Sequence, residues 1–195
     1  MKNLLVLLIV SIFAICGCER KQDVLCDNVP FEDYTLIDST DYDIINSVIE
    51  QYYYSAKFIH IDQSTNYLVD TDIIEMGLSN ANIEFDPTFL TDYKLKNEAR
   101  HYLNKEQICS KAKVISPEEL TCIFINHAGW DDYYEKYPKS EGLLSFYRPG
   151  INNQKDKAIV EYGYYTNYLG AIMFIVLLEK ENNTWIITHR LITRI

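Results

Sequence analysis

The sequence predicts an α+β domain, with helices first and a sheet last. Three observations carry this. Over 41–55 the apolar residues Ile44, Ile45, Val48, Ile49, Tyr52 and Tyr53 recur at helical spacing and share one face. The last third instead alternates apolar or aromatic runs with short polar turns, the pattern of an antiparallel meander. One of those runs, Ala171 to Leu178, is apolar throughout, as a strand buried on both faces is.

The elements follow in order. Ser39-Thr40-Asp41 starts the first helix. Lys57 to Asp62 sets Phe58 and His60 against Ile59 and Ile61, a strand; Asp62 to Asn66 is a turn, and Tyr67-Leu68-Val69 is the expected hairpin partner. Between 70 and 92 two readings stay open. Ile73, Ile74 and Met76 suit a short helix, and Ile83 and Phe85 suit a strand ended by Pro87. Residues 92–107 suit a polar helix with Leu95, Ala99, Tyr102 and Leu103 on one side. Ser116-Pro117-Glu118-Glu119 combines an N-cap serine, a first-turn proline and two acids that favour the positive end of a helix dipole. A further short helix is expected from Trp130 to Lys136, ahead of Pro138. Gly142 to Arg148 reads as a strand, Pro149-Gly150 as a break and Asn152 to Asp156 as a turn. Lys157 to Tyr165, Ala171 to Leu178 and Thr184 to Ile195 are strands joined at Asn167–Gly170 and Glu179–Asn183, with Trp185, Ile187 and His189 on one face of the last. The expectation is a single domain over 41–195. It is one curved sheet with helices on its concave face, in the manner of cystatin-like or nuclear-transport-factor-like (NTF2-like) folds.

The N-terminus reads as an address. Lys2 precedes an apolar stretch from Leu4 to Ile15, interrupted only by Ser11. At roughly 12 residues it is a secretory leader and too short for a bilayer span of about 20. Its exit, Ile15-Cys16-Gly17-Cys18, resembles the bacterial lipoprotein signal, although Cys16 stands where a small residue such as Ala or Ser is usual. The resemblance implies removal of residues 1–17, lipid attachment at Cys18 and, with Glu19 rather than Asp following, the outer membrane more than the inner. Residues 18–40 are then a polar tether. The partner so implied is the membrane, through the lipid.

With 28 acidic and 18 basic residues the chain carries a net charge of −10. That argues against a sequence-independent nucleic-acid binder, which neutralises phosphates with Lys and Arg. No P-loop, GxGxxG, GxSxG or HExxH occurs, so no cofactor is expected. Beyond Cys18, Cys26, Cys109 and Cys122 remain, an odd number that allows at most one internal bridge. Cys109 and Cys122 flank a helix start and are one candidate pair; three reduced thiols are the alternative.

Four groups of residues stand out as candidates. His127 with Trp130, Asp131 and Asp132 is the densest polar cluster, and fits a base with an orienting acid or half a metal site; a solvated loop is the plainer reading. His60 and Asp62 share a strand face, at a spacing that suits two metal ligands or simply a polar face. Arg148 is a lone cation between strands, suited to clamping a carboxylate or to an internal ion pair. Tyrosines cluster at 52–54, at 133, 134 and 137, and at 162–168, and divide between the sheet core and an exposed aromatic surface. The leading expectation is a non-enzymatic, lipid-anchored binding module for a protein partner or a small ligand. An immunity-type protein that masks a basic toxin is one version, since acidity speeds such encounters. The alternative is a small hydrolase or metal-dependent enzyme using His127, Asp131 and Asp132, and a purely structural envelope protein is the third reading.

Residues 92–195 carry one further resemblance. Gly129-Trp130-Asp131-Asp132-Tyr133-Tyr134-Glu135-Lys136-Tyr137-Pro138-Lys139-Ser140-Glu141-Gly142, then Ser145-Phe146-Tyr147-Arg148-Pro149-Gly150, and later Leu177 to Ile187, resemble a group of bacterial proteins. Many of these have lipoprotein-type leaders and none has an assigned activity. Two departures from the group are Ser145-Phe146-Tyr147-Arg148, where members often have adjacent Ser-Arg, and Leu191-Ile192-Thr193 near the end. The resemblance implies a shared domain and no reaction.

Overall fold

The structure is a computed structural model that describes Cys26, residues 29–126 and residues 129–194. The leader, Cys18 and His127 lie outside the described residues. Among the described residues there are five α-helices: α1 (Ser39–Tyr52), α2 (Thr71–Asn80), α3 (Pro87–Lys96), α4 (Pro117–Asn126) and α5 (Trp130–Lys136). The strands are β1 (Ile59–Asp62), β2 (Ala112–Ile115), β3 (Leu143–Phe146), β4 (Gly150–Ile151), β5 (Lys157–Asn167), β6 (Gly170–Glu181) and β7 (Thr184–Arg194). They form one curved open sheet in the order β2-β1-β3-β5-β6-β7, with β4 pairing to β5. The class is α+β, as expected.

The sheet is mixed rather than wholly antiparallel. β3, β5, β6 and β7 pair antiparallel, but β1 runs parallel to both β2 and β3. Parallel neighbours need long crossovers. Here α2 and α3 lie between β1 and β2, and α4 and α5 between β2 and β3.

Helices therefore cover both faces of the sheet, not only one. Ile44, Ile45, Val48 and Ile49 of α1 pack on Ile61, Leu144, Phe146, Val160, Val176 and Trp185. On the other face Ile159, Ile175 and Leu177 lie under α2 and α3, and Leu143 and Ile115 under α4 and α5. β6 feeds both cores, which is why its sequence is apolar without alternation. Burying a side chain of that size contributes about 1.5–3 kcal/mol.

Local chemistry explains the boundaries. Asp38 caps α1, its carboxylate accepting from the Thr40 N–H at 2.9 Å, and α1 stops at Tyr52 where the Tyr53 N–H closes on the Ile49 carbonyl. Ser116 Oγ accepts from the Glu119 N–H at 3.2 Å to start α4. The helix expected at 92–107 lies earlier, at 87–96, because Asp86 caps it and Pro87 opens it. The chain after it runs beside 63–65, where Thr65 N–H donates to His101 O and Leu103 N–H to Gln63 O. That contact takes the place of the Tyr67–Val69 hairpin. The bulge at Leu177/Leu178 pairs Leu177 with His189 and Leu178 with Ile187, so His189 faces away from Trp185 and Ile187.

The disulfide joins Cys26 to Cys122, with the Cα atoms 6.0 Å apart, and Cys109 is a free thiol. The Cys109–Cys122 pairing fails for a geometric reason: Cys109 packs on the α1 side and Cys122, on α4, is on the opposite face. Part of the expected tether is fastened down as well. The Glu32 N–H donates to Gln63 Oε1 at 3.1 Å, Gln63 Nε2 donates back to the Glu32 carbonyl at 2.7 Å, and the Thr35 N–H reaches Tyr102 O at 2.9 Å. No helix among the described residues is long and apolar enough to cross a membrane.

Candidate functional site

Alternation along β1 puts Ile59 and Ile61 in the α1 core and turns His60 and Asp62 toward α4 and α5. The two side chains share a face, as the spacing required, yet they open into different cavities. Asp62 lies at the floor of a cavity of about 410 Å³. Asn66 and Ser145 complete its polar floor, and Phe124, Trp130 and Tyr165 line it with aromatic rings beside Leu120 and Leu143. A hollow of this size, mostly apolar with a few polar groups, has the character of a small-molecule site.

Each wall has a local cause. Gly129 takes φ +69 just before α5, and a Cβ there would meet the Tyr168 ring at 3.2 Å. That turn delivers Trp130, whose backbone N–H donates to the Tyr168 hydroxyl at 3.0 Å. The Trp130 ring packs against Phe124 at 4.9 Å and Tyr133 at 5.0 Å between centroids. Ser145 Oγ donates to Asn66 Oδ1 at 3.0 Å, which orients the amide. Asp62 Oδ1 accepts from the Ser64 N–H at 2.8 Å and from Ser64 Oγ at 2.9 Å. Burial pushes the Asp62 carboxyl above its ordinary range, against the Ser64 bonds and the Arg100 charge, while Glu118 pushes the same way as burial. Burial, then the charges of Asp62 and Glu161, raise the Tyr165 phenol.

His60 belongs to a smaller cavity of about 200 Å³, lined also by Lys113, Lys136, Lys139, Tyr137 and Ser140. Its Nδ1 lies 2.8 Å from Ser140 Oγ and 2.9 Å from the Tyr133 hydroxyl. Burial, then the Lys113 charge, pushes the imidazole down to about 4, so it is neutral at pH 7. The Ser140 oxygen is also within 3.2 Å of both the Gly142 N–H and carbonyl. The Ser140–His60 pair thus secures the 140–142 turn, and no carboxylate among the described residues bonds the imidazole to orient it for nucleophilic work.

The other candidates separate. Asp131 and Asp132 sit in the first turn of α5, where the helix dipole favours them; Asp131 is exposed and neither lines the larger cavity. Arg148 is ion-paired, its Nε 2.9 Å from Asp41 Oδ2, with Nη1 3.5 Å from His101 Nε2. Among the described residues no group of three or more His, Cys, Asp or Glu side chains could hold a metal ion. Tyr133 and Tyr162 are buried, Tyr53 packs against Tyr162 and Tyr164, and of the clustered tyrosines Tyr54 and Tyr168 are the ones strongly exposed. Of the described members of the first polar cluster, then, Trp130 alone lines the larger cavity. No signal in the sequence pointed to Asn66 or Ser145, Tyr165 figured only within the 162–168 tyrosine cluster, and alternation on β1 was the one signal that pointed to Asp62. No protein-family model, no curated protein and no solved structure matches this chain.

Proposed function

We propose that this protein is a lipid-anchored binding module of the bacterial cell envelope, acylated at Cys18, that holds a small ligand in the cavity beneath α4 and α5 without transforming it. The observation that carries the ligand reading is the cavity itself: a polar floor of Asp62, Asn66 and Ser145 under an aromatic wall. Ser145 donates to Asn66 rather than to a base, so the floor presents recognition groups and no activated nucleophile. The leader and its exit at Cys18 support the anchor, and Glu19 the outer membrane. The acidic balance speaks against nucleic acid as a partner. The hydrolase alternative draws no support from the positions of Asp131 and Asp132.

The test has two parts. Intact-mass measurement of protein purified from its native membranes should find diacylglycerol on Cys18; a chain beginning elsewhere overturns the anchor. Thermal-shift screening of the same protein against small molecules should find stabilising compounds whose effect is lost in Trp130→Ala. A screen in which every stabiliser acts equally on both proteins overturns the cavity as the binding site.

A further inference from the structure

We infer that the ligand of the larger cavity carries a cationic ammonium group, seated against the Asp62 carboxylate and the aromatic rings of Trp130, Phe124 and Tyr165; this rests on the ligand-binding reading above. The Ser64 turn engages one oxygen of Asp62 only, with both bonds on Oδ1. Oδ2 has no hydrogen-bond donor among the described residues, although Asp62 lines the cavity. A carboxylate oxygen without a protein donor, on a residue that lines a cavity, is a strong acceptor open to a ligand.

The surroundings determine which charge can meet it. No Lys, Arg or His is among the described residues that line it. Arg100 influences Asp62 only through its charge, and its guanidinium lies 5.0 Å from the centroid of the Tyr67 ring rather than in an ion pair with Asp62. An anionic ligand would therefore face Asp62 with no compensating cation among the described lining residues, and Glu118 adds to the negative field there. A neutral apolar ligand would cover Oδ2 and leave it unsatisfied. A cation satisfies it, and gains again from the negative faces of aromatic rings, of which indole is the best. Asn66 and Ser145 add uncharged acceptors at the same floor, suited to the N–H groups of a primary amine.

The experiment is calorimetric titration of the full lipidated protein in a maltoside detergent with two isosteric sets. One set is choline, 3,3-dimethyl-1-butanol and 3,3-dimethylbutyrate. The other is tyramine, 4-ethylphenol and 4-hydroxyphenylacetate. In at least one set the cation should bind about tenfold or more tighter than its neutral isostere, and the anion more weakly than either. Asp62→Asn, which keeps an acceptor for the Ser64 turn, should collapse that preference to within about threefold. The comparison within the wild-type protein stands even if the variant does not fold. Neutral or anionic members binding as well as the cations overturn the ammonium inference and leave the cavity reading intact. No binding by any member of either set, together with a screen that finds no Trp130-dependent stabiliser, overturns both.

Discussion

Arg148→Met should destabilise the protein by about 3–4 kcal/mol at neutral pH. Arg148 Nε is 2.9 Å from Asp41 Oδ2, and Asp41 is wholly buried, at 0% exposure. Lys96 holds the other oxygen at 3.1 Å but is shared with Asp92 at 2.9 Å. Burial lifts the Asp41 carboxyl above its ordinary value of 3.8 even though both cations pull it down. The two cations thus only partly offset desolvation, and the loss of one leaves the carboxylate with a shared lysine. Methionine keeps much of the arginine stem, which isolates the charge from the packing. Breaking a buried pair from one side costs about 3–5 kcal/mol, and the remaining Lys96 places the value at the lower end. For a chain of this size that is a fall in Tm of roughly 6–16 °C. The sign of the pH dependence follows from the raised pKa. The protonated form of Asp41 is favoured in the fold, so its contribution is full below the ordinary carboxylate value and declines as pH rises through the raised one. Without Arg148 that rise in pKa is larger, so the deficit of the variant is greatest at pH 7 and shrinks toward pH 4. Urea unfolding at both pH values, with Asp41→Asn and the double variant, measures this; the double variant should lose less than the sum of the singles. A loss below about 1 kcal/mol at pH 7, or an equal loss at both pH values, refutes the reasoning.

Three other outcomes are expected. Peptide mapping under non-reducing conditions should link Cys26 to Cys122, and Cys122→Ser should cost up to about 4–5 kcal/mol, since the bridge closes a sequence separation of 96; an unchanged melting temperature after reduction would count against it. Gly150→Ala should cost about 1–3 kcal/mol or more, because a Cβ there would meet the Phe89 carbonyl at 2.2 Å and Tyr93 Cβ at 2.4 Å; a neutral substitution would mean that α3 is not seated on β4. NMR titration should show the His60 imidazole staying neutral until about pH 4, and its contribution to stability should be present above the ordinary histidine value of 6.5 and lost as pH falls toward 4; a midpoint near 6.5 would place it in solvent.

Elements with local signals were legible in the sequence. The cap and proline of α4, the Trp130–Lys136 helix and the polar turns of the β5–β6–β7 meander all depend on neighbouring residues; the helices start as read, and the turns fall inside the stretches read for them, although β6 continues through Glu179 to Glu181. β2 was not legible. Ala112–Ile115 is four residues long with an exposed Lys113, and it is a strand because β1 offers it a parallel edge. The parity of β7 was misread because a bulge is a property of two strands, not of one. The site divides in the same way. Alternation put His60 and Asp62 on one face, but parallel pairing of β1 with β3 brought Ser145 to the same cavity, and the β3–β5 ladder brought Tyr165. Those are distant contacts with no periodicity to announce them. Cys26 likewise lies far from Cys122 along the chain, in a stretch that reads as linker.

The bridge at Cys26 has a bearing on where the domain works. A leash running freely from Cys18 to the start of α1 would let the domain roam roughly 70 Å from its anchor when extended. With Cys26 pinned to α4, only about eight residues remain between the proposed lipid and the folded body, a reach of at most about 26–29 Å. The cavity wall contributed by Leu120 and Thr121 is on the same helix as Cys122, so the proposed ligand site would hang from the short end of the leash. With the proposed lipid on Cys18, that geometry would confine the protein to a shallow layer beside its own leaflet, where it would meet ligands concentrated at the bilayer surface sooner than those in the open compartment.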